Sequence, residues 1–302
     1  MKVRIKTQPY DFNPDDRAKA ENTIKNTWTQ FRDSLARKEF KYDETEKALK
    51  TTFLNVFNQM FLAVGKEKLT TELMTVFDTN TIGRGTILKP GEETPASRFT
   101  PIGRYIKDDN RFSPPGIEWL YLAIGDTDEH IKRCAEAECR AEKGNRFGFC
   151  HFSLSPENEK IKIVDLTQMA NDNYDKINSD LIAALESKKN DAVKEILGSG
   201  NLSISNTSKI VTKYKEKYLD DAQMWALKTY SNMLSEQIFV PIEDSNKKLE
   251  YTPFQTMAKY FEGHGFGGII YKSTKYDKAK NLVLFDKNSA SPTGSIDDYI
   301  IE

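Results

Sequence analysis

Ile117-Glu118-Trp119-Leu120-Tyr121-Leu122-Ala123-Ile124 reads as a mostly buried strand: the run is short, apolar and rich in aromatic and branched residues. Asp126 follows at a helix N-cap position, with Glu129 three residues on, the spacing of a capping box. The spacing predicts a helix from there to about Lys143. A strand that leads directly into a capped helix sets the pattern for what lies on either side.

Toward the C-terminus, Phe147 to Leu154 and Ile161 to Leu166 alternate as strands. Residues 169 to 218 are rich in Lys, Asp, Asn and Ser and read as a polar helical region, with a further helix over Asp221 to Ile238. Pro253 to Phe261 is helical. Gly267 to Lys272 and Asn281 to Asp286 are two strands joined by a charged turn. The tail after Asn288 carries too little apolar content to predict order.

Toward the N-terminus, Gly83, Gly85, Pro90, Gly91, Pro95, Pro101 and Pro114-Pro115 punctuate residues 81 to 115, which predicts loop with short strands. Met1 to Lys6 alternates as a short strand. Pro14 to Phe40 carries Asp15 and Asp16 at its start and Ile24, Trp28, Phe31 and Leu35 at helical spacing. Asp43 to Val64 predicts a second helix, with Ala48, Phe53, Val56, Phe57 and Met60 facing inward. Mixed strands with helices around them predict an α+β fold. The expected organisation is an N-terminal helical domain over 1–80 and a second domain over 81–302, interrupted by a helical insertion at about 169–221.

Length and composition narrow the function. A chain of 302 residues with 38% hydrophobic content builds a sizeable core, as two domains or as one with large additions. Its formal net charge of -1 gives no drive toward nucleic acid. No apolar run approaches the ~20 residues of a membrane span, and the first residues lack the apolar stretch of a secretory signal. The three cysteines, Cys134, Cys139 and Cys150, are too few for a disulfide framework, and His130, His151 and His264 do not cluster with them. The expectation is a cytoplasmic protein with no metal.

Some residues carry chemistry. On the predicted helix Ile131, Cys134, Ala135 and Glu138 share one face. A carboxylate on an apolar face must be bonded or paired, so Glu138 is either an internal ion-pair partner or a site residue. Lys132, Glu136, Arg140 and Glu142 lie off that face and read as solvated. Arg111, in the stiff loop Asn110-Arg111-Phe112-Ser113-Pro114-Pro115-Gly116, is either a phosphate clamp or a brace for the loop. Arg84 between Gly83 and Gly85 invites the same reading, since flanking glycines let a phosphate approach the backbone, with Arg98 and Arg104 as rivals. Tyr121 is a core aromatic or a wall of a site. Ser273 is a turn serine or a site residue; no histidine stands where it would activate it. Gly263-His264-Gly265-Phe266-Gly267-Gly268 matches the dinucleotide fingerprint in form, but it follows a helix and precedes a strand, the reverse of the required order.

The order of these signals is more specific than any one of them. Arg111 to Gly116, Trp119 to Ala123 and Ala137-Glu138-Cys139-Arg140 resemble the central block of the RES-domain family. Tyr251-Thr252-Pro253-Phe254-Gln255, Gly267 to Ser273 and Asn281 to Phe285 resemble that family's C-terminal block. The resemblance covers about 81 to 168 and 222 to 287. It implies a mixed-sheet fold similar to ADP-ribosylating toxins, and an enzyme that degrades NAD by phosphorolysis or hydrolysis, often as the toxin paired with a protein antitoxin. It implies NAD as substrate, with phosphate a possible co-substrate. Arg84 and Arg111 would hold phosphate groups, and Tyr121 would pack against the nicotinamide riboside end. Glu138 would favour the positive charge that develops as nicotinamide leaves, and Ser273 would orient the ribose or nicotinamide. Protein ADP-ribosylation from the same pocket, and a non-catalytic module that senses NAD or ADP-ribose, are the competing expectations.

Overall fold

The computed structural model describes residues 5–7, 10–12, 17–168, 174–201, 203–233, 242 and 246–302. Asp15, Asp16, Met169 and Ile238, which bounded expected elements, lie outside the described residues. The chain divides into two compact units.

The first unit comprises Met1–Phe31, Leu49–Lys68 and Gln168–Ile238. A small ribbon, β1 (Ile5–Thr7) and β2 (Tyr10–Phe12), pairs antiparallel. Helix α1 (Arg17–Ala36) buries Ile24, Trp28 and Phe31 as its spacing predicts. The single helix expected over 43–64 is broken. It forms α2 (Thr45–Ala48), then α3 (Thr52–Met60) after an extended Thr51, then one wide turn at Phe61–Gly65 and the short α4 (Lys66–Lys68). The predicted inner positions Phe53, Val56, Phe57 and Met60 are buried all the same. Phe31 stacks on Phe53 at 5.5 Å and Phe53 meets Tyr230 at 5.4 Å. Tyr230 belongs to the long hairpin α7 (Tyr174–Gly198) and α8 (Ile204–Met233). α8 runs unbroken through 218–221, where the sequence suggested a boundary.

The second unit comprises Arg32–Ala48, Leu69–Thr167 and Phe239–Glu302. Its strands are β3 (Thr70–Glu72), β4 (Thr81–Leu88), β5 (Leu120–Gly125), β6 (Arg146–Leu154), β7 (Lys162–Asp165), β8 (Gly268–Lys272), β9 (Lys280–Leu284) and β10 (Ala290–Ile300). They form one mixed eight-stranded sheet in the order β10-β6-β4-β5-β9-β8-β7-β3, in which only β7 and β8 run parallel. Helices α5 (Leu73–Thr79), α6 (Asp128–Glu138) and α9 (Lys247–Gly263) complete it. The α+β expectation holds.

Strand alternation builds two apolar layers. On β5, Leu120, Leu122 and Ile124 join Ile82, Ile163, Ile270, Leu282 and Leu284 on one side of the sheet. Ala123 joins Phe147, Phe149 and the α6 residues Ile131, Cys134 and Ala135 on the other.

Four local expectations change. The segment read as loop with short strands holds the eight-residue central strand β4. Its glycines make room for rings: a Cβ on Gly83 would lie 2.2 Å from Phe149 Cζ, and one on Gly85 2.3 Å from Phe147 Cζ. Helix α6 is capped by Thr127, whose hydroxyl accepts from the His130 N–H at 3.2 Å, while Asp126 bonds His130 Nδ1 at 2.6 Å. It ends at Glu138, short of Lys143. The tail after Asn288 is ordered as β10, paired with β6. Backbone pairing does not need apolar side chains, and charge fastens it further: Lys132 meets Asp297 at 2.7 Å and Arg146 Nε donates to Asp298 at 2.9 Å. Among the described residues no helix is long and apolar enough to cross a membrane.

Candidate functional site

β4 and β5 pair only from Thr81↔Gly125 to Gly83↔Ala123. Both strands run on past that point without pairing each other, β4 to Leu88 and β5 back to Leu120. A cavity of about 300 Å³ opens there, lined by Arg84 and Gly85 on one side and Tyr121 to Ala123 on the other. Arg111, Glu138, Tyr271, Thr274 and Asn281 complete much of the wall.

Four of the five predicted site residues line this cavity, and the fifth stands behind it. Ser273 is buried and its hydroxyl donates to Glu138 Oε1 at 2.7 Å. The Ser273 oxygen in turn accepts the backbone N–H groups of Lys275 and Tyr276, at 3.2 and 3.1 Å. The turn reading of this serine holds, and the turn it stabilises aims its proton at the carboxylate. Asn281 Nδ2 donates to the same Glu138 oxygen at 2.6 Å. Its Oδ1 is met by the Cys134 thiol at 3.7 Å, which sets the amide's orientation. Glu138 is thus held by neutral donors; no ion pair to it occurs among the described residues. Its Oε2 accepts no hydrogen bond among them and is available to a ligand.

Arg84 has no acidic partner among the described residues. Its Nη1 is buried and makes no hydrogen bond there. Burial draws its pKa down, and the nearby Arg98 adds to this, though arginine's ordinary value is so high that the group stays charged. Arg98 pairs with Glu92 at 2.9 Å and Arg104 lies over the Tyr105 ring; neither lines the cavity. The glycines beside Arg84 serve the packing of Phe147 and Phe149, where the sequence suggested room for a phosphate.

Arg111 is positioned by α9. Its guanidinium lies over Tyr251 and Phe254 at 5.5 and 5.3 Å, and Nη2 reaches Thr274 Oγ1 at 3.5 Å. Gln255, on the same helix and 2% exposed, donates to Asp109 Oδ1 at 3.0 Å and to the Asn110 carbonyl at 3.2 Å, pinning the loop. Tyr121 shares a hydrogen bond of 2.9 Å with Ser113 on that loop. Burial pushes the hydroxyls of Tyr121 and Tyr271 well above their ordinary range, so both remain protonated at neutral pH. Burial likewise pushes the Cys139 thiol up to about 11 and the Cys134 thiol up to about 12, with the Glu138 charge adding to each.

Sequence reading missed Asn281 and Gln255. The signal for Asn281 was an amide in the otherwise apolar run Asn281 to Phe285. Gln255 gave none, because which neighbour a buried amide meets is decided by tertiary packing. Arg140 is exposed, as expected, and also borders the cavity. Among the described residues the lining carries Arg84, Arg111, Arg140, Lys247 and Lys275 beside Asp109 and Glu138. Comparison with family models, curated proteins and solved structures returns no match.

Proposed function

We propose that this chain is an NAD-degrading enzyme of RES type, with a fold similar to ADP-ribosylating toxins, that cleaves the bond between nicotinamide and ribose. One observation carries the reading. In a single cavity a buried guanidinium nitrogen of Arg84 has no hydrogen-bond acceptor among the described residues, and Glu138 presents one unbonded carboxylate oxygen. An uncompensated buried charge costs several kcal/mol, on the order given for desolvated ions, so a ligand phosphate completes it.

The chemistry follows from the parts. Arg84 and Arg111 hold phosphoryl oxygens. Ser273 and Asn281 keep Glu138 Oε1 occupied, which turns Oε2 toward the ribose. The C1′–N bond breaks with its electron pair going to the nicotinamide ring, which leaves neutral. The ribose becomes cationic, and a carboxylate already oriented favours that charge without reorganising. A phosphate oxygen then bonds C1′ to give ADP-ribose phosphate; with water the product is ADP-ribose and a proton. A cleft of about 300 Å³ is at the small end for ligands and takes the reacting half of the dinucleotide. As a toxin the protein would deplete NAD in the cytoplasm and be silenced by a protein antitoxin.

Incubating the purified protein with NAD, with and without phosphate, tests this. Free nicotinamide with ADP-ribose or its phosphate is expected. Label transferred to protein would make it a protein ADP-ribosyltransferase, and binding without turnover would make it a sensor; either result removes the proposal.

A further inference from the structure

In the first unit, α7 and α8 run antiparallel and pack along one seam. Lys188 meets Asp221 across it and donates to the Lys217 carbonyl at 3.0 Å, and the Tyr218 hydroxyl donates to the Leu185 carbonyl at 3.3 Å. Leu181 and Tyr214 are buried there. At 3.6 residues per turn, Ile182, Val193 and Leu197 stand roughly 100–160° round α7 from Leu181. Ile204, Val211 and Leu219 stand roughly 60–140° round α8 from Tyr214, in the same sense. In two antiparallel helices the same sense of rotation leads to the same side of the pair, so all of these residues lie on one face. Lys213 and Glu195, both turned in the opposite sense, meet at 3.0 Å, as that geometry requires. The apolar face is well exposed, from 44% at Ile182 to 91% at Ile204. The other side of the hairpin carries Asp180, Ser187, Asp191, Lys209, Lys213 and Asp220. A helix pair needs one apolar stripe for its own seam; a second stripe facing outward marks a surface for another chain.

We propose that a second copy of the chain docks on this face, hairpin on hairpin, about a two-fold axis that crosses α7 between Ser187 and Lys188. The proposal concerns the first unit alone and depends neither on the cavity nor on NAD. The order of residues along α7 selects the occupant. Ile182 and Val193 stand equally far from that midpoint on either side, and so do Glu186 and Lys189. All four lie within about 60° of one another round the helix. Two antiparallel copies of α7 therefore set each Ile182 against the other copy's Val193 and each Glu186 against the other copy's Lys189. The hairpin's own ion pairs among the described residues, Lys188–Asp221 and Lys213–Glu195, leave Glu186 and Lys189 unpaired. Leu219 falls level with the axis, because Lys188 bonds residues 217 and 221 on either side of it, and so meets its own counterpart. A patch complementary to itself in both apolar contact and charge is what an isologous interface requires. The result is a four-helix arrangement of two hairpins.

The test is the mass of the full chain by sedimentation over a range of micromolar concentrations, with circular dichroism to check that each variant keeps its helices. The wild type is expected at twice its chain mass. Glu186→Lys sets like charges against each other twice, by symmetry, and is expected to weaken the pair at least about tenfold. The double variant Glu186→Lys with Lys189→Glu restores the opposition and is expected to recover the dimer. Leu219→Lys, at an exposed position on the axis, is expected to dissociate the pair without touching the α7 charges, and serves as the check should Glu186→Lys lose helix. A wild type that stays monomeric overturns the proposal. So does a Glu186→Lys or Leu219→Lys variant that pairs as tightly as the wild type, or a charge-swapped double variant that fails to recover.

Discussion

The Ser273 hydroxyl donates to Glu138 Oε1 at 2.7 Å while its oxygen accepts two backbone N–H groups, so residues 135 positions apart form one rigid unit. Ser273→Ala removes a donor from the carboxylate and strands the N–H groups of Lys275 and Tyr276. Stability should fall by about 0.5–1.5 kcal/mol, the net contribution of a typical hydrogen bond. NAD consumption should fall with it. A urea midpoint equal to the wild type's would show that the turn does not depend on this oxygen.

Glu138→Gln keeps an oxygen that Ser273 and Asn281 can both address and removes only the charge. The variant should melt close to the wild type and lose NAD consumption by at least about 100-fold, the scale of a lost preorganised electrostatic contact. Undiminished turnover would remove Glu138 from the chemistry.

Arg84→Met removes a desolvated cation and keeps most of the stem. The variant should melt no lower than the wild type and bind inorganic phosphate at least about tenfold more weakly. A marked loss of stability with phosphate binding intact would make Arg84 a structural residue.

The buried thiols predict alkaline sensitivity. Burial raises Cys139 from an ordinary 9.0 to about 11 and Cys134 to about 12. Between those values the folded chain holds protons that the unfolded chain has released. Stability therefore declines as pH rises above about 9, and the loss continues until the folded thiols also ionise. The urea midpoint should drop between pH 8 and pH 10.5, and Cys139→Ala should remove part of the slope. A midpoint constant across that range would contradict the burial of these groups.

Much of the second unit was legible because its signals are local. β5 and the helix after it follow from apolar runs and a cap position; in the first unit the inward face of α3 follows from spacing in the same way. Glu138 stood out as a carboxylate on an apolar helix face. What stayed hidden depends on neighbours distant in sequence. Gly83 and Gly85 read as breakers because the rings that need them, Phe149 and Phe147, lie more than sixty residues on. β10 read as a loose tail because its few apolar anchors, Ala290, Ile296 and Tyr299, are sparse, and much of the edge strand is held by backbone bonds and ion pairs. The choice of Arg84 over Arg98 and Arg104 needed the point where the β4–β5 ladder stops.

β7 and β8 are parallel neighbours, yet the chain leaves one at Asp165 and returns in the other at Gly268. Closing so long a crossover is entropically slow, and native pairing rewards it only afterwards. Ser273 and Asn281 both lie beyond the return, so Glu138 acquires its donors at the end of this process. On dilution from urea, helical circular dichroism should recover first and NAD consumption after a lag; simultaneous recovery would show that the crossover closes early. A newly made chain would accordingly lack the oriented Glu138 carboxylate until its last strands are in place.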